Sequence, residues 1–265
     1  MNGIVINISP VIFQIGHFEL RWYSLAIMLA VAAAVLITAR RATLKGIARD
    51  EIYSLALWVV LGGLLGARLF HVIDRWEYYA ENPLNILQLQ QGGLAIWGAF
   101  FGGGLATLVY AKIRGLSLGR LVDAVTPGLL VAQIIGRFGC IVNGDAYGGV
   151  TSLPWGFIYT NPDASILPSL LGLPTHPYPV YEMVWNGLVL LTLIKLERHF
   201  HQDGLLFLSY LTLYSLGRFI LTFVRQEKLI FGGLQQAQII AVLAMAASVL
   251  AMMYILARPL RRAVS

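Results

Sequence analysis

The sequence has few charged residues for its length. Only 12% of its 265 residues are Asp, Glu, Lys or Arg, whereas soluble domains average about 25%. Hydrophobic residues make up 58% of the chain and the mean hydropathy is +0.72. A soluble fold of this size would lack the polar surface to cover itself, so the composition predicts an integral membrane protein.

Cysteine and the common catalytic motifs are also scarce. The single cysteine, Cys140, excludes an intrachain disulfide and gives no sign of a cysteine-based metal cluster. No Lys or Arg precedes Arg21, so the basic start of a cleavable signal peptide is missing and the first apolar helix is expected to stay in the membrane.

The Walker, HExxH, GxSxG and dinucleotide motifs are all missing, which leaves ATPases, proteases and redox enzymes without support.

Apolar segments long enough, or nearly so, for the roughly 20-residue requirement of a membrane span recur along the chain. They predict an all-α polytopic protein with about seven transmembrane helices, whose expected bounds are Trp22–Ala39, Ile52–Ile73, Leu94–Lys112, Leu121–Gly136, Tyr178–Leu196, Leu205–Val224 and Gln235–Ala257.

The basic residues predict the orientation of these helices. The net charge of +6 is also found in proteins that bind nucleic acid. Here, however, the positive residues cluster in short loops between spans and in the tail, a pattern typical of membrane orientation and contact with anionic lipid. Most lie on one side, including Arg40 and Arg41 in the first loop and Arg258, Arg261 and Arg262 in the tail. The positive-inside rule then places the C-terminus in the cytoplasm and the N-terminus outside. We therefore expect one membrane domain over residues 1–265, with an ordered outer loop region near 143–177 and no nucleic-acid partner.

Arginines recur at membrane depth in this scheme. Arg68 lies in the second predicted span, Arg137 at the end of the fourth and Arg218 within the sixth. Each costs at least ~2.5 kcal/mol at a bilayer centre. Their guanidinium groups either snorkel to the headgroups or face a shared cavity that binds a phosphate, and phospholipid phosphates fit the location best.

Other polar residues stand close to these arginines in sequence. The run Gly136–Gly148 has the pattern of a glycine-punctuated polar loop that follows the fourth span and contains Asn143 and Asp145. Asp145 is either a base or the counter-ion that orients Arg137. Glu182 is either a buried functional acid or a charge favoured by the helix dipole. Tyr23 has the position of an aromatic at the membrane interface.

Several of these segments resemble the bacterial prolipoprotein diacylglyceryl transferase family, and the resemblance runs nearly end to end. The most specific match is the Gly136–Gly148 run, which is similar to the family signature. The other matching segments are Ser9–Gly16, Leu20–Tyr23, Gly66–Arg68, Gly92–Gly98, His176–Glu182, Gly217–Phe219 and Arg225.

The resemblance implies a specific activity. The family transfers the diacylglyceryl group of phosphatidylglycerol to the lipobox cysteine of a preprolipoprotein and releases glycerol 1-phosphate, in the bacterial cytoplasmic (inner) membrane and without a cofactor or metal. It implies that Arg137 binds phosphatidylglycerol and that Arg218 and Arg225 contact or gate the headgroup. Arg68 and Gly148 are further expected lipid-binding residues, and Asn143, Asp145 and Tyr23 complete the expected catalytic set.

The chain departs from the family pattern at certain positions. Trp97 stands where many members have histidine, Cys140 where the signature has asparagine, and Thr222 where a glutamate is expected. A mechanism with that histidine as base does not apply, so the base remains open among Asp145, Glu182, His176 and solvent. A catalytically altered, lipid-binding family member and an anion or lipid transporter are the alternative functions.

Overall fold

A computed structural model describes residues 3–16, 18–88, 92–225 and 229–257. In this part of the chain seven helices are long and apolar enough to span a membrane, which confirms the predicted number and the predominantly helical class. The elements in chain order are β1 Ile4–Ile6, β2 Val11–Ile15, β3 Phe18–Arg21, α1 Trp22–Leu44, α2 Arg49–Asp74, α3 Trp76–Glu81, α4 Ile96–Ile113, α5 Leu118–Asn143, β4 Phe157–Tyr159, β5 Pro174–Thr175, α6 Tyr178–Leu196, α7 Leu205–Thr222, β6 Leu229–Phe231, β7 Leu234–Gln235 and α8 Gln236–Leu256. All of these helices except α3 are candidate spans.

The predicted end of the fourth span was wrong. Helix α5 does not stop at Gly136 but continues to Asn143, and the chain turns at Gly144, where φ is +74°. The glycines that suggested a loop instead allow helices to pack closely, because a Cβ on Gly139 would lie 2.9 Å from the Cβ of Ala26 and 3.1 Å from the Cα of Tyr23. Arg137, Cys140 and Asn143 therefore belong to one helix.

Short strands accompany the helices, and the sequence pattern did not predict them. Strand β2 pairs antiparallel with β3, β1 pairs parallel with β4, β4 pairs antiparallel with β5, and β6 pairs antiparallel with β7. They hold only two to five residues each, too few for a period-two pattern to stand out.

The chain divides into two compact units, of residues 1–37 with 125–265, and of residues 38–124. The first unit has a core in which α5, α6 and α7 meet, formed by Leu130, Val189, Leu193, Leu206 and Tyr210. Between α6 and α7, a Cβ on Gly217 would lie 2.0 Å from Nε1 of Trp185, so only glycine fits this crossing.

The second unit contains a close contact between α2 and α4. A Cβ on Gly66 would lie 2.3 Å from the carbonyl oxygen of Gly98, and a Cβ on Gly102 would lie 2.1 Å from that of Gly62. Small residues on both helices thus bring the two backbones into direct contact, as is common for helices in membranes.

The region near residues 143–177, expected to form an ordered outer loop, contains the short strands β4 and β5 and a hydrophobic cluster. Phe157, Tyr159 and Ile166 form a buried cluster, and the hydroxyl of Tyr159 donates to the carbonyl of Ile141 over 3.0 Å. Burial is the main cause that raises the pKa of Tyr159, with the charge of Asp145 as a further cause, so this phenol stays protonated.

Orientation across the membrane and the single domain over residues 1–265 stay predictions. The tail arginines that contributed to the orientation, Arg258, Arg261 and Arg262, lie outside the described residues.

Candidate functional site

One buried carboxylate, that of Glu182, connects two of the predicted arginines. Glu182 lies in the second turn of α6 and is only 4% exposed. Its Oε2 forms an ion pair with Nη2 of Arg137 on α5, and its Oε1 lies 2.9 Å from Nη1 of Arg218 on α7. Of the two alternatives for Glu182, this geometry favours a buried functional acid over a charge at the helix terminus.

A fully buried tyrosine completes this contact. Nη1 of Arg218 donates to the hydroxyl of Tyr178 over 2.7 Å, and that hydroxyl donates to Oε1 of Glu182 over 3.2 Å. The Cζ atoms of Arg218 and Arg225 lie 5.8 Å and 5.1 Å from the centre of the Tyr178 ring, within the range of cation–π contacts. Tyr178 was not among the residues predicted from the sequence, although its position four residues before Glu182 places both on one face of α6.

The arginine pair carries more positive charge than its partner neutralises. Arg137 and Arg218 share the single carboxylate of Glu182, and their side chains are 23% and 22% exposed. Guanidinium groups of this kind bind phosphate oxygens in pairs. The cluster of Arg137, Arg218, Glu182 and Tyr178, here named the arginine cluster, can therefore accept an anionic group from the accessible side.

The α5 side of the arginine cluster contains the remaining signature residues. Nη1 of Arg137 lies 3.7 Å from Sγ of Cys140, and Asp145 is close enough to Cys140 to interact with it electrostatically. The ion pair of Arg137 is with Glu182, so of the two alternatives for Asp145 the geometry does not favour the counter-ion. Tyr23 at the start of α1 is within electrostatic range of Arg137, Cys140 and Asp145.

Asn143 ends α5 beside this group. Its backbone carbonyl accepts from the amide of Ser165 over 2.8 Å. Its Oδ1 is buried and has no hydrogen-bond partner among the described residues. Since an unpaired buried acceptor is costly, this atom is suited to receive a donor from a ligand.

Gly148 lies where three parts of the first unit meet. Its amide donates to the carbonyl of His176 over 3.0 Å, and the next amide, of Gly149, donates to the carbonyl of Val224 over 2.9 Å. A Cβ at Gly148 would lie 2.7 Å from that of His176 and 3.0 Å from the carbonyl of Val224. Glycine is needed here for close packing, and this contact fixes the chain next to Arg225.

Arg68 is held differently from the other arginines. Its five N–H donors are all used by backbone carbonyls of the second unit, those of Ile86, Gly92, Gly93, Asn85 and Gln88. The side chain is 7% exposed and its Cζ lies 5.2 Å from the centre of the Tyr79 ring. This geometry leaves Arg68 no N–H group for the predicted phosphate contact and favours a structural role.

Two of the positions that depart from the family pattern have local explanations. Trp97 is 41% exposed on α4 and its ring lies 6.4 Å from that of Phe100. Thr222 is fully buried and its hydroxyl donates to the carbonyl of Arg218. Neither side chain titrates near neutral pH. Within the described residues, no three His, Cys, Asp or Glu side chains are grouped closely enough to hold a metal ion.

The fold and the arginine cluster define a multi-pass membrane protein with a cationic, partly accessible site among its helices. Sequence comparison gives the family: the model of the prolipoprotein diacylglyceryl transferase family matches residues 10–254, and the chain belongs to this family.

Relatives in several bacteria agree with this assignment. A phosphatidylglycerol–prolipoprotein diacylglyceryl transferase of Clostridioides difficile is 32% identical over 245 residues, which cover 92% of this chain and 94% of the relative. Proteins of the same name from Nostoc sp. and Synechococcus elongatus are 35% and 36% identical. These alignments cover 95% and 93% of this chain, and 92% and 87% of the respective relatives.

Proposed function

We propose that this protein transfers the diacylglyceryl group of phosphatidylglycerol to the thiol of the lipobox cysteine of a preprolipoprotein. Membership in the family and the names of the relatives support the reaction and its two substrates. The structural observation that carries the proposal is the contact of Arg137 and Arg218 with the single carboxylate of Glu182. It provides an excess of positive charge where a phospholipid phosphate would bind.

The reaction is an alkylation of sulfur. The substrate thiolate attacks the carbon of the diacylglyceryl group that is bonded to the phosphate oxygen. A C–S bond forms at this carbon while its C–O bond breaks. The electron pair of the broken bond leaves with the phosphate, and glycerol 1-phosphate is released. Arg137 and Arg218 stabilise the charge that develops on the departing oxygen, which lowers the barrier without covalent help from the protein.

The proton of the substrate thiol must pass to a base or to water. Glu182 is poorly suited, because its carboxylate is occupied by two arginines and Tyr178. Asp145 is exposed and is close enough to Cys140 and Tyr23 to interact with both electrostatically. We therefore favour Asp145 or water as the acceptor, and a thiol with a pKa near 8.5 needs only modest help.

We assign the protein to the bacterial cytoplasmic membrane, with the arginine cluster toward the outside. Seven helices long and apolar enough to span a membrane in the described chain support a multi-pass protein. The distribution of basic residues between the predicted spans supports the orientation.

A reconstituted reaction tests this function. Purified protein in phosphatidylglycerol-containing vesicles is mixed with a lipobox peptide, and both the peptide mass and glycerol phosphate release are measured. We expect Arg137→Ala to lower the rate by about 10²-fold or more, because removing one donor to a developing oxyanion typically costs that much. Arg49→Ala, at the exposed start of α2, should leave the rate unchanged.

Two results would contradict the proposal. Full activity of Arg137→Ala would remove the phosphate contact from the mechanism. A wild-type protein that binds phosphatidylglycerol but leaves the peptide unmodified would instead be a lipid-binding member of the family, and a parallel Trp97→His variant would show whether that position accounts for the loss.

A further inference from the structure

A second polar pocket lies in the unit of residues 38–124, and its volume is about 410 Å³. This is within the range of about 300–1,000 Å³ that is usual for small-molecule sites. Its lining residues are His71, Arg75, Tyr78, Tyr79, Gly92 and Gly93. The proposed transfer reaction assigns no role to it.

The pocket is positively charged and contains no acidic lining residue. His71 and Arg75 are one helical turn apart on the same face at the end of α2. In the described part of the chain, neither Arg75 nor the adjacent Arg68 forms an ion pair with a carboxylate. An anion in this pocket would therefore meet the guanidinium group of Arg75 without displacing a carboxylate from it.

The wall of the pocket is held rigidly. Gly92 and Gly93 have φ of +80° and +76°, a conformation that glycine adopts without strain, and their carbonyls accept from Nη1 of Arg68 over 2.8 Å and 3.0 Å. A Cβ on Gly93 would lie 2.7 Å from Nε2 of His71, so the backbone passes directly over the imidazole. The Tyr79 ring meets that imidazole edge-on with the centroids 5.9 Å apart. Arg68 thus acts as a positioning residue for the pocket.

The surroundings place this pocket at the level of lipid headgroups. Arg75 directly follows the last residue of the span Arg49–Asp74. The adjoining segment exposes large apolar side chains, with Trp76 at 62%, Leu84 at 79% and Leu87 at 81%. Exposed tryptophan and leucine next to the end of a span are typical of the membrane interface.

We propose that this pocket binds the phosphate group of an anionic ligand at the membrane interface, with His71 and Arg75 as the residues that contact the phosphate oxygens. Tyr78 adds a hydroxyl, which accepts from Nδ2 of Asn85 over 2.8 Å and keeps its own proton available for the ligand. The phosphate belongs either to a phospholipid headgroup or to a soluble phosphate monoester such as glycerol phosphate. The site does not depend on the transfer reaction.

Binding measurements on the full chain test the site without reference to activity. The Arg137→Ala/Arg218→Ala variant is used as the background, so that the arginine cluster does not contribute. In the lipid arm, protein in phosphatidylcholine nanodiscs is incubated with phosphatidylglycerol. The phosphatidylglycerol molecules that stay bound to the protein are counted by native mass spectrometry. In the soluble arm, glycerol phosphate and inorganic phosphate are titrated by calorimetry.

We expect the background protein to bind one phosphate-bearing ligand in one of these arms. Adding Arg75→Gln and His71→Asn should weaken that binding by at least about tenfold, because both side chains proposed to contact the phosphate oxygens are replaced. Arg49→Gln, at the opposite end of α2, is the matched control and should bind as the background does. Loss in the lipid arm identifies a headgroup, and loss in the soluble arm identifies a free phosphate ester.

The proposal is overturned if binding survives Arg75→Gln and His71→Asn, or if Arg49→Gln weakens it equally. An Arg75→Lys variant guards against a folding defect, because it keeps the charge and should retain most of the binding.

Discussion

At the residue scale, the charge of Glu182 determines how the arginine cluster is organised. The carboxylate is buried, and it contacts Arg137 on one side and Arg218 on the other. Removing one member of a buried ion pair is strongly destabilising, because the remaining charge stays buried without a partner. Here two guanidinium groups would lose their partner together and would also repel each other.

The variant Glu182→Gln measures this effect. We expect the free energy of unfolding in detergent to fall by about 3–5 kcal/mol, the usual range when a buried ion pair is broken. Tyr178→Phe is the control, because it removes two hydrogen bonds to charged partners but leaves both ion pairs of Glu182 in place, and it should cost about 1.5–3 kcal/mol.

Added glycerol phosphate should stabilise Glu182→Gln more than the wild-type protein, since the ligand replaces the missing negative charge. Equal stabilisation of both proteins would mean that the arginine pair is not the anion-binding site.

At the scale of elements, the crossing of α1 and α5 determines where the signature residues lie. Close packing at Gly139 brings the start of α1, with Tyr23, against the helix that carries Arg137 and Cys140. The sequence alone suggested a loop there, because glycine and polar residues are the usual loop signal. Only the neighbouring helix shows that Gly139 is a packing residue, which explains why the helix end was misplaced by seven residues, from Gly136 to Asn143.

Paired glycine variants test the importance of this crossing. Gly139→Ala places a Cβ 2.9 Å from that of Ala26 and should destabilise the protein by about 1–3 kcal/mol, as overpacking usually does. It should also lower transfer activity, because Tyr23 is pushed away from Arg137.

Gly136→Ala is the matched control. Its Cβ would have its nearest neighbour at 3.8 Å, so the change should be neutral or stabilise the helix by up to about 1 kcal/mol. Thermal unfolding of both variants in the same detergent makes the comparison, and equal stability would show that the α1–α5 contact tolerates extra volume.

At the scale of the whole molecule, the apolar pattern was sufficient to predict the spans but not the contacts between them. Helix α6 begins and ends at the predicted residues, Tyr178 and Leu196, because its apolar run has proline at one end and charged residues at the other. The pairing of Glu182 with arginines on α5 and α7 could not be predicted, since it depends on how distant helices pack. The environment of Arg68 was missed for the same reason, because its partners are backbone carbonyls that carry no residue-type signal.

Labelling of introduced cysteines tests the predicted orientation. The native Cys140 is only 7% exposed, so the wild-type protein should react little with a membrane-impermeant maleimide. In intact spheroplasts we expect Asp163→Cys, on the exposed surface of the 144–177 region, to be labelled, and Lys112→Cys to be labelled only after permeabilisation. The opposite pattern would invert the topology and place the arginine cluster toward the cytosol.

The shared carboxylate of Glu182 also bears on turnover. When a phosphate reaches Arg137 and Arg218, the carboxylate of Glu182 already contacts both guanidinium groups. This carboxylate is part of α6 and cannot diffuse away. The lipid phosphate therefore gains less binding free energy than it would from two arginines without a carboxylate partner. When the product leaves, Glu182 remains as the partner of both arginines. An enzyme that must release a charged leaving group in every catalytic cycle benefits from this limited affinity for phosphate.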